Sequence, residues 1–395
     1  MRNHTHQMLI LAIPLLFTAC GGGGSTGSES SPTVTQGPAT SSAVTIQMTD
    51  LSVDTTSFTV VDTLTTTQLG SVRTNDITAN DTLIVTMEED IRSTQNSGSE
   101  LFFRLRLIDA TNFSEVGSLD KVLSVVRMNF NDVGELYIDT TGQGLVRVDV
   151  SDPGNPRIVD RVQTFWGGLE SLTQGDILYQ AAYNHGLFAF NITDRNNPRL
   201  LDEINFDDTP QIQEINRERR AIGLSDIQTQ ARALDIIGNT LFVATRDGGL
   251  FLVDVSNPSQ LTVLGHYFFQ SVRDIAVGGT VAYATISDGL EILDVNDPAQ
   301  PERLALVELP GSSGRVTINQ NVAVVALDLE FEDVFIEQNG QRVRKKGAIV
   351  YHDLAMPLTP NNFKLIYFDD PVEEAIYKEG AIFAVTKSAI YKLSN

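Results

Sequence analysis

From about residue 75 to the C-terminus, apolar and polar residues alternate in short runs, and each run ends in a cluster of Gly, Asn, Asp or Pro. Alternation with a period of two is the pattern of a half-buried strand, and the clusters supply the turns between strands. The pattern also repeats. "GNTLFVATRDGGLFLVDVSNPSQLTVLGHY" from Gly238 and "GGTVAYATISDGLEILDVNDPAQPERLALV" from Gly278 lie over "GELYIDTTGQGLVRVDVSDPGNPRIVDRV" from Gly134 and "GDILYQAAYNHGLFAFNITDRNNPRLLDEI" from Gly175. Each unit holds three runs, and a fourth precedes it, as in "ARALDII" at 231 and "VRDIAV" at 272. Four antiparallel strands in every unit of roughly forty residues predict an all-β chain folded as a single β-propeller.

One position fixes the register. Asp109, Asp149, Asn191, Asp254, Asp294 and Asp353 follow the third run of successive units, at intervals of 40, 42, 63, 40 and 59 by subtraction, and both long intervals contain an insertion. Degenerate units therefore extend the array in both directions. The last unit, "EGAIFAVTKSAIYKLSN", lacks a fourth strand, and "TTTQLGSV" at 65–72 looks like one. An N-terminal strand that closes the ring in this way removes its open edges and gives seven blades of four strands. An eighth blade stays open if residues 44–64 form more than a lid or hairpin. With "GLVRVDVSDP", "GLFAFNITDR", "GLFLVDVSNP" and "GLEILDVNDP" aligned, the unit resembles the LVIVD repeat of bacterial and archaeal surface proteins. That resemblance implies a propeller outside the cytoplasm and does not by itself imply an enzyme activity.

The N-terminus has a different pattern. Arg2 precedes the apolar run "MLILAIPLLFTA", which reads as a secretion signal and is too short for a permanent span. It ends in "LFTAC", which resembles the lipobox of bacterial lipoproteins. The resemblance implies cleavage before Cys20 and a lipid on its sulfur. Cys20 is the only cysteine, so no internal disulfide can form. Residues 20–43, rich in Gly, Ser, Thr and Pro, read as a flexible tether, and residues 44–395 as the propeller. Gly21 lacks the acidic character of an inner-membrane retention signal, which favours the outer membrane of the bacterial envelope. The formal charge of −22 excludes a nucleic-acid partner, since no basic stripe offsets it. The expected partners are the membrane, through the lipid, and a protein or glycan, with the folded domain monomeric.

Candidate chemistry is sparse. The six Asp and Asn residues of the register are read as turn caps, because a short acceptor followed by Pro suits a turn and a catalytic carboxylate would not recur in every blade. The insertions at 88–100, 205–230 and 330–346 occupy second-to-third or fourth-to-next links, which leave a blade on one face. Within 205–230, Thr209 and Pro210 predict the start of one short helix, with Ile212, Ile215 and Ala221 on one side and Arg217, Arg219 and Arg220 among polar neighbours. Arg127, Glu170, Arg232, Arg273, Arg315 and Glu374 fall near inner-strand starts. They are expected to ring the channel mouth, either as mutual salt bridges or as an anion site. Trp166 and Phe268 lie in fourth-to-next links and are read as stacking groups for a sugar or peptide, or as packing between blades.

No HExxH, paired-Cys, GxSxG or P-loop pattern occurs, so no catalytic or metal ligand set is assigned and no cofactor is identified. Calcium remains a candidate only through the acidic runs "MEED", "FEDVF" and "FDDPVEE", none of which has ordered ligand spacing. The reading is a binding or scaffold module that uses its loop-rich face. A hydrolase or lyase acting on polysaccharide or peptide over the channel is the alternative.

Overall fold

The computed structural model describes residues 43–53, 59–65, 73–94, 98–122, 125–131, 134–140, 144–164, 168–269, 271–287, 289–310, 312–338, 340–386 and 388–394. The expectations placed on the leader, on Cys20 and the tether, and on Trp166 lie outside them. Seven antiparallel sheets follow one another along the chain. The fourth is typical, with inner strand Ala231–Ile237, then Thr240–Thr245 and Gly249–Asp254, and outer strand Thr262–Tyr267. The other inner strands are Arg73–Ala79, Val125–Phe130, Glu170–Gln174, Asp274–Gly278, Ser312–Asn319 and Val372–Lys378.

The two middle strands of a blade are covered on both sides by neighbouring blades. Residues 240–245 and 249–254 are accordingly buried almost without a break, whereas the outer strand Arg199–Ile204 is mostly open to solvent. The core is a series of wedges between blades. Tyr179, Leu187, Leu241 and Val253 fill one such wedge between the third and fourth blades, and Phe242, Leu252, Ala282 and Leu293 fill the next. The glycine that opens each third strand is required by its backbone. Gly249 has φ +86°, and a Cβ there would lie 2.2 Å from the Tyr267 carbonyl oxygen. Gly144, Gly186 and Gly289 meet the same obstacle in their own blades.

The ring is closed by an N-terminal strand, but by a different segment from the one expected. Thr59–Thr65 pairs antiparallel with Ala389–Ser394, Leu64 opposite Ile390, and completes the seventh blade. Leu64 carries this register by packing against the wedge that holds Ile77 and Phe383. Residues 66–72 lie outside the described set. Residues 44–53 form no eighth blade. Val44–Gln47 adds a parallel fifth strand to the outer edge of the fifth blade, and Ser52–Val53 does the same for the sixth. Ile46, Met48 and Leu51 are buried in the cluster shared by those two blades, so this strap is part of the core.

The insertion at 205–230 contains the helix Pro210–Ala221. Phe206 stacks on Phe251 at 4.3 Å, and Ile212 is fully buried in the wedge of the third and fourth blades. Ala221 is exposed, contrary to expectation. Asn216 is buried in its place, where its side-chain amide bonds both the N–H and the carbonyl of Ile227, at 2.7 and 3.2 Å. This pair of bonds satisfies backbone groups that the returning chain would otherwise bury unmet. Among the described residues no helix is long and apolar enough to cross a membrane.

Candidate functional site

The inner strands place seven equivalent positions around the channel: Asp76, Arg127, Glu170, Ala233, Asp274, Arg315 and Glu374. Arg127 pairs with Glu170 and, at 2.7 Å, with Asp274. Arg315 pairs with Asp76, lies 3.3 Å from Glu374 and donates to the Val126 carbonyl at 3.2 Å. The carboxylates also tie each blade to the next. Asp76 accepts the N–H of Met128 at 2.5 Å, Glu170 that of Leu234 at 2.8 Å, Asp274 that of Val316 at 3.0 Å and Glu374 that of Ile77 at 3.2 Å. Asp139 of the second blade makes the equivalent link to Ser171, accepting from its N–H at 2.8 Å and its hydroxyl at 2.6 Å.

Four of the six charged residues expected at the channel are in this network. Asp76 and Asp274 belong to it as well and were not foreseen. Burial pushes Glu170 up to about 8, opposed by Arg127 and reinforced by Asp274. It holds Glu374 well above the carboxylate range too, against the pull of Arg315. Asp139 is pushed up to about 6 by burial, with the Ser171 bonds opposing. With its carboxylates engaged by guanidiniums and backbone amides, the ring braces the disk.

Arg232 and Arg273 are not in the ring. Each precedes its ring position by one residue, and Arg232 sits in a β-bulge between Ala231 and Ala233. A one-residue offset turns a side chain away from its expected surface. Both arginines line a cleft of about 320 Å³ with Arg246, Ser271, Val272 and Ser287, at the junction of the fourth and fifth blades. Arg246 and Ser287 belong to second-to-third links and Ser271 to a fourth-to-next link, so the cleft opens on the loop-rich face. A second cleft on that face, of about 780 Å³, shares Ser287. The strap contributes Met48 to it, the sixth-blade insertion contributes Phe335 and Arg342, and Tyr367 and Pro310 complete the wall. Arg342 covers the Phe335 ring at 4.2 Å, and Phe331 beside the cleft is 90% exposed.

The remaining candidates occupy simpler environments. Arg217 pairs with Glu214, Arg220 with Asp226 at 2.7 Å, and Arg219 donates to the Ser225 carbonyl at 2.8 Å. Acidic groups thus neutralise much of the helix's basic face. Phe268 is half-buried and packs against the wedge of the third and fourth blades. Asp109, Asp149, Asn191, Asp254, Asp294 and Asp353 each accept the N–H two residues on, at 2.8 to 3.0 Å. Bonds from the Ser151 hydroxyl and N–H draw Asp149 down to about 2. Two histidines are inside the blades. His266 lies tilted against Phe251 and is pushed down to about 4 by burial, and His352 stacks on Phe363 and bonds Tyr283. Among the described residues no group of three or more His, Cys, Asp or Glu is placed to hold a metal ion.

Fold and inner ring together define the chain as a seven-bladed β-propeller. It carries LVIVD repeats: the family model described as "LVIVD repeat" matches residues 136–164, 229–268 and 270–305. No curated protein sequence matches the chain. Among solved structures, it is similar to the Myceliophteria thermophila Cps50 (Swd1) β-propeller domain, with 12% identity and TM-score 0.52 over 86% of this chain and 99% of that one. It is also similar to Saccharomyces cerevisiae Sqt1, with 9% identity and TM-score 0.55 over 86% of this chain and 100% of that one. At such identities the likeness is one of fold.

Proposed function

We propose that this chain is a binding propeller of the bacterial envelope, held to the membrane by a lipid on Cys20 and engaging its ligand or partner protein through the loop-rich face. The observation that carries the reading is the convergence of two clefts at Ser287, built from the links and insertions that interrupt the repeat. Loops on a rigid scaffold are where recognition groups collect, and the wider cleft combines aromatic walls with a charged rim. The carboxylates that a hydrolase or lyase would need over the channel, Glu170 and Glu374, are buried and bonded to backbone amides and arginines. That geometry favours binding over catalysis.

The test is site-specific photo-crosslinking in the native envelope. A crosslinker at Phe331, on the loop-rich face, is expected to trap a discrete species. The same group at Met356, in a third-to-fourth turn of the opposite face and 51% exposed, is expected not to. Equal labelling from both faces, or none from position 331, overturns the reading. The anchor is tested separately by Cys20→Ser, which should release the protein from the membrane fraction.

A further inference from the structure

We infer that the cleft between the fourth and fifth blades binds an oxyanion, the carboxylate, sulfate or phosphate group of a small acidic ligand. The inference deepens the proposed function by assigning one ligand chemistry to one part of the loop-rich face. Three arginines, Arg232, Arg246 and Arg273, line one cleft of about 320 Å³ in a chain whose formal charge is −22. The field of such a chain repels anions, so an anion site requires cations concentrated locally, as they are here. Guanidinium is the side chain whose planar fork matches an oxyanion with paired hydrogen bonds, and Ser271 and Ser287 add hydroxyl donors.

A second observation points the same way. The Nε–H of Arg232 is buried without a hydrogen-bond partner. A buried unmet donor is costly, and in a residue that lines a cleft of like charges an anion is its most favourable partner. On the helix of the third insertion, Arg217 and Arg220 have carboxylate partners. Arg246 Nε is loosely paired with Asp247 at 3.7 Å. Arg246 Nη1 also reaches Gln230 Oε1 at 3.4 Å.

The walls are held rigid before any ligand arrives. Arg246 N–H donates to the Gln230 carbonyl at 2.9 Å, Val272 N–H to the Arg246 carbonyl at 3.2 Å and Arg273 N–H to the Thr285 carbonyl at 2.8 Å. Ser271 adopts φ +61°, a left-handed conformation that is unfavourable for a residue with a side chain. The turn it makes brings Ser271, Val272 and Arg273 onto one wall. A site fixed in this way loses little freedom on binding. Its volume is on the order of ten waters at about 30 Å³ each, so the oxyanion can carry an organic group.

The experiment is isothermal titration of the full-length protein in detergent with inorganic phosphate, inorganic sulfate and glucuronate, at constant ionic strength set by chloride. At least one probe is expected to bind saturably at one site, and the tightest of the three identifies the source chemistry. Arg246→Ala and Arg273→Ala, at exposed positions outside the ring, should each weaken that binding by about tenfold or more, because each removes charge-assisted bonds. Arg217→Ala should leave it unchanged. Arg232→Lys, checked by thermal melting, tests the bulged position without removing its charge, and it should weaken binding by losing the fork. Absence of saturation by all three probes overturns the inference, as does equal binding by all variants or an equal loss in Arg217→Ala. Crosslinking from position 331 is independent of this result, so a failure here leaves the broader reading standing.

Discussion

Arg315→Met tests whether the channel ring is held by charge. Arg315 serves Asp76, Glu374 and the Val126 carbonyl, and Asp76 is fully buried. Methionine keeps most of the aliphatic bulk and leaves the Asp76 carboxylate without its counter-ion. A stranded carboxylate can be relieved by a proton, at about 1.36 kcal/mol for each pH unit above an aspartate's ordinary value of about 3.9. The charge penalty is thus capped at about 4 kcal/mol at pH 7 and about 1.5 kcal/mol at pH 5. Loss of the bond to Val126 adds about 1 kcal/mol at either pH. The expected total, about 5 kcal/mol at pH 7, lies at the upper end of the usual cost of breaking a buried pair. In the variant, burial without a counter-ion penalises the ionised carboxylate and spares the protonated one, so stability is retained in acid and lost as pH rises. Urea unfolding of wild type and variant at pH 5, 6 and 7, followed by far-UV circular dichroism, measures the difference at each pH. A loss that does not change with pH refutes the reasoning, as does a loss under about 1 kcal/mol at pH 7. Asp76→Asn added to Arg315→Met should recover much of the pH 7 loss.

The same sign governs Asp139, which burial raises to about 6. The wild type should lose on the order of 3 kcal/mol from this group as pH climbs from about 4 through 6, and thermal melts of Asp139→Asn should lack that component; parallel curves for both proteins would sink the idea. Gly265→Ala places a Cβ 2.0 Å from the Pro298 carbonyl oxygen, where the outer strand of the fourth blade meets the exit turn of the fifth. Urea unfolding should show a loss of about 1–3 kcal/mol, against about 1 kcal/mol for Gly279→Ala, which meets nothing but has φ +61°. Deleting residues up to 53 uncovers the seats of Ile46, Met48 and Leu51, so a dye for apolar surface should bind while the strand content stays. Deletion through 65 also opens the edge of the seventh blade and should yield aggregates on size-exclusion chromatography.

Most of the architecture was legible because its signals are local. The glycine, apolar triplet and turn acceptor of "GLFLVDVSNP" are fixed by a φ of +86°, a wedge buried on both sides and an N–H two residues on, and each requirement leaves its own trace in the sequence. The strap was not legible, because residues 44–53 pair parallel with outer strands more than 250 residues away and carry no repeat signature. The inner ring was misread for a third reason. Inner strands are bulged near their starts in the first, second, fourth, sixth and seventh blades, so alignment on the third strand does not transmit register to them. Asp274 was adjacent to the residue chosen, in "VRDIAV", and Asp76 lay in a divergent first blade. Helical periodicity groups Ala221 with Ile212 and Ile215, but the short helix leaves Ala221 exposed and turns Asn216 inward, where its amide meets the backbone of Ile227.

That one-residue offset separates two uses of arginine. The seven ring positions hold four carboxylates, two guanidiniums and one alanine. Four carboxylates thus face two guanidiniums, and these seven positions offer no surplus positive charge to a ligand. Arg232 and Arg273 stand one position earlier, outside that network, and line the cleft with Arg246. Stability and anion binding should therefore come apart in paired measurements. Arg273→Ala is expected to melt within a few degrees of wild type while losing affinity for the oxyanion probe. Arg315→Met is expected to lose several kcal/mol of stability at pH 7 and, while folded, to bind the probe as wild type does. If both variants moved both readouts together, ring and cleft would be one electrostatic unit, and the division of labour argued from the register would be wrong.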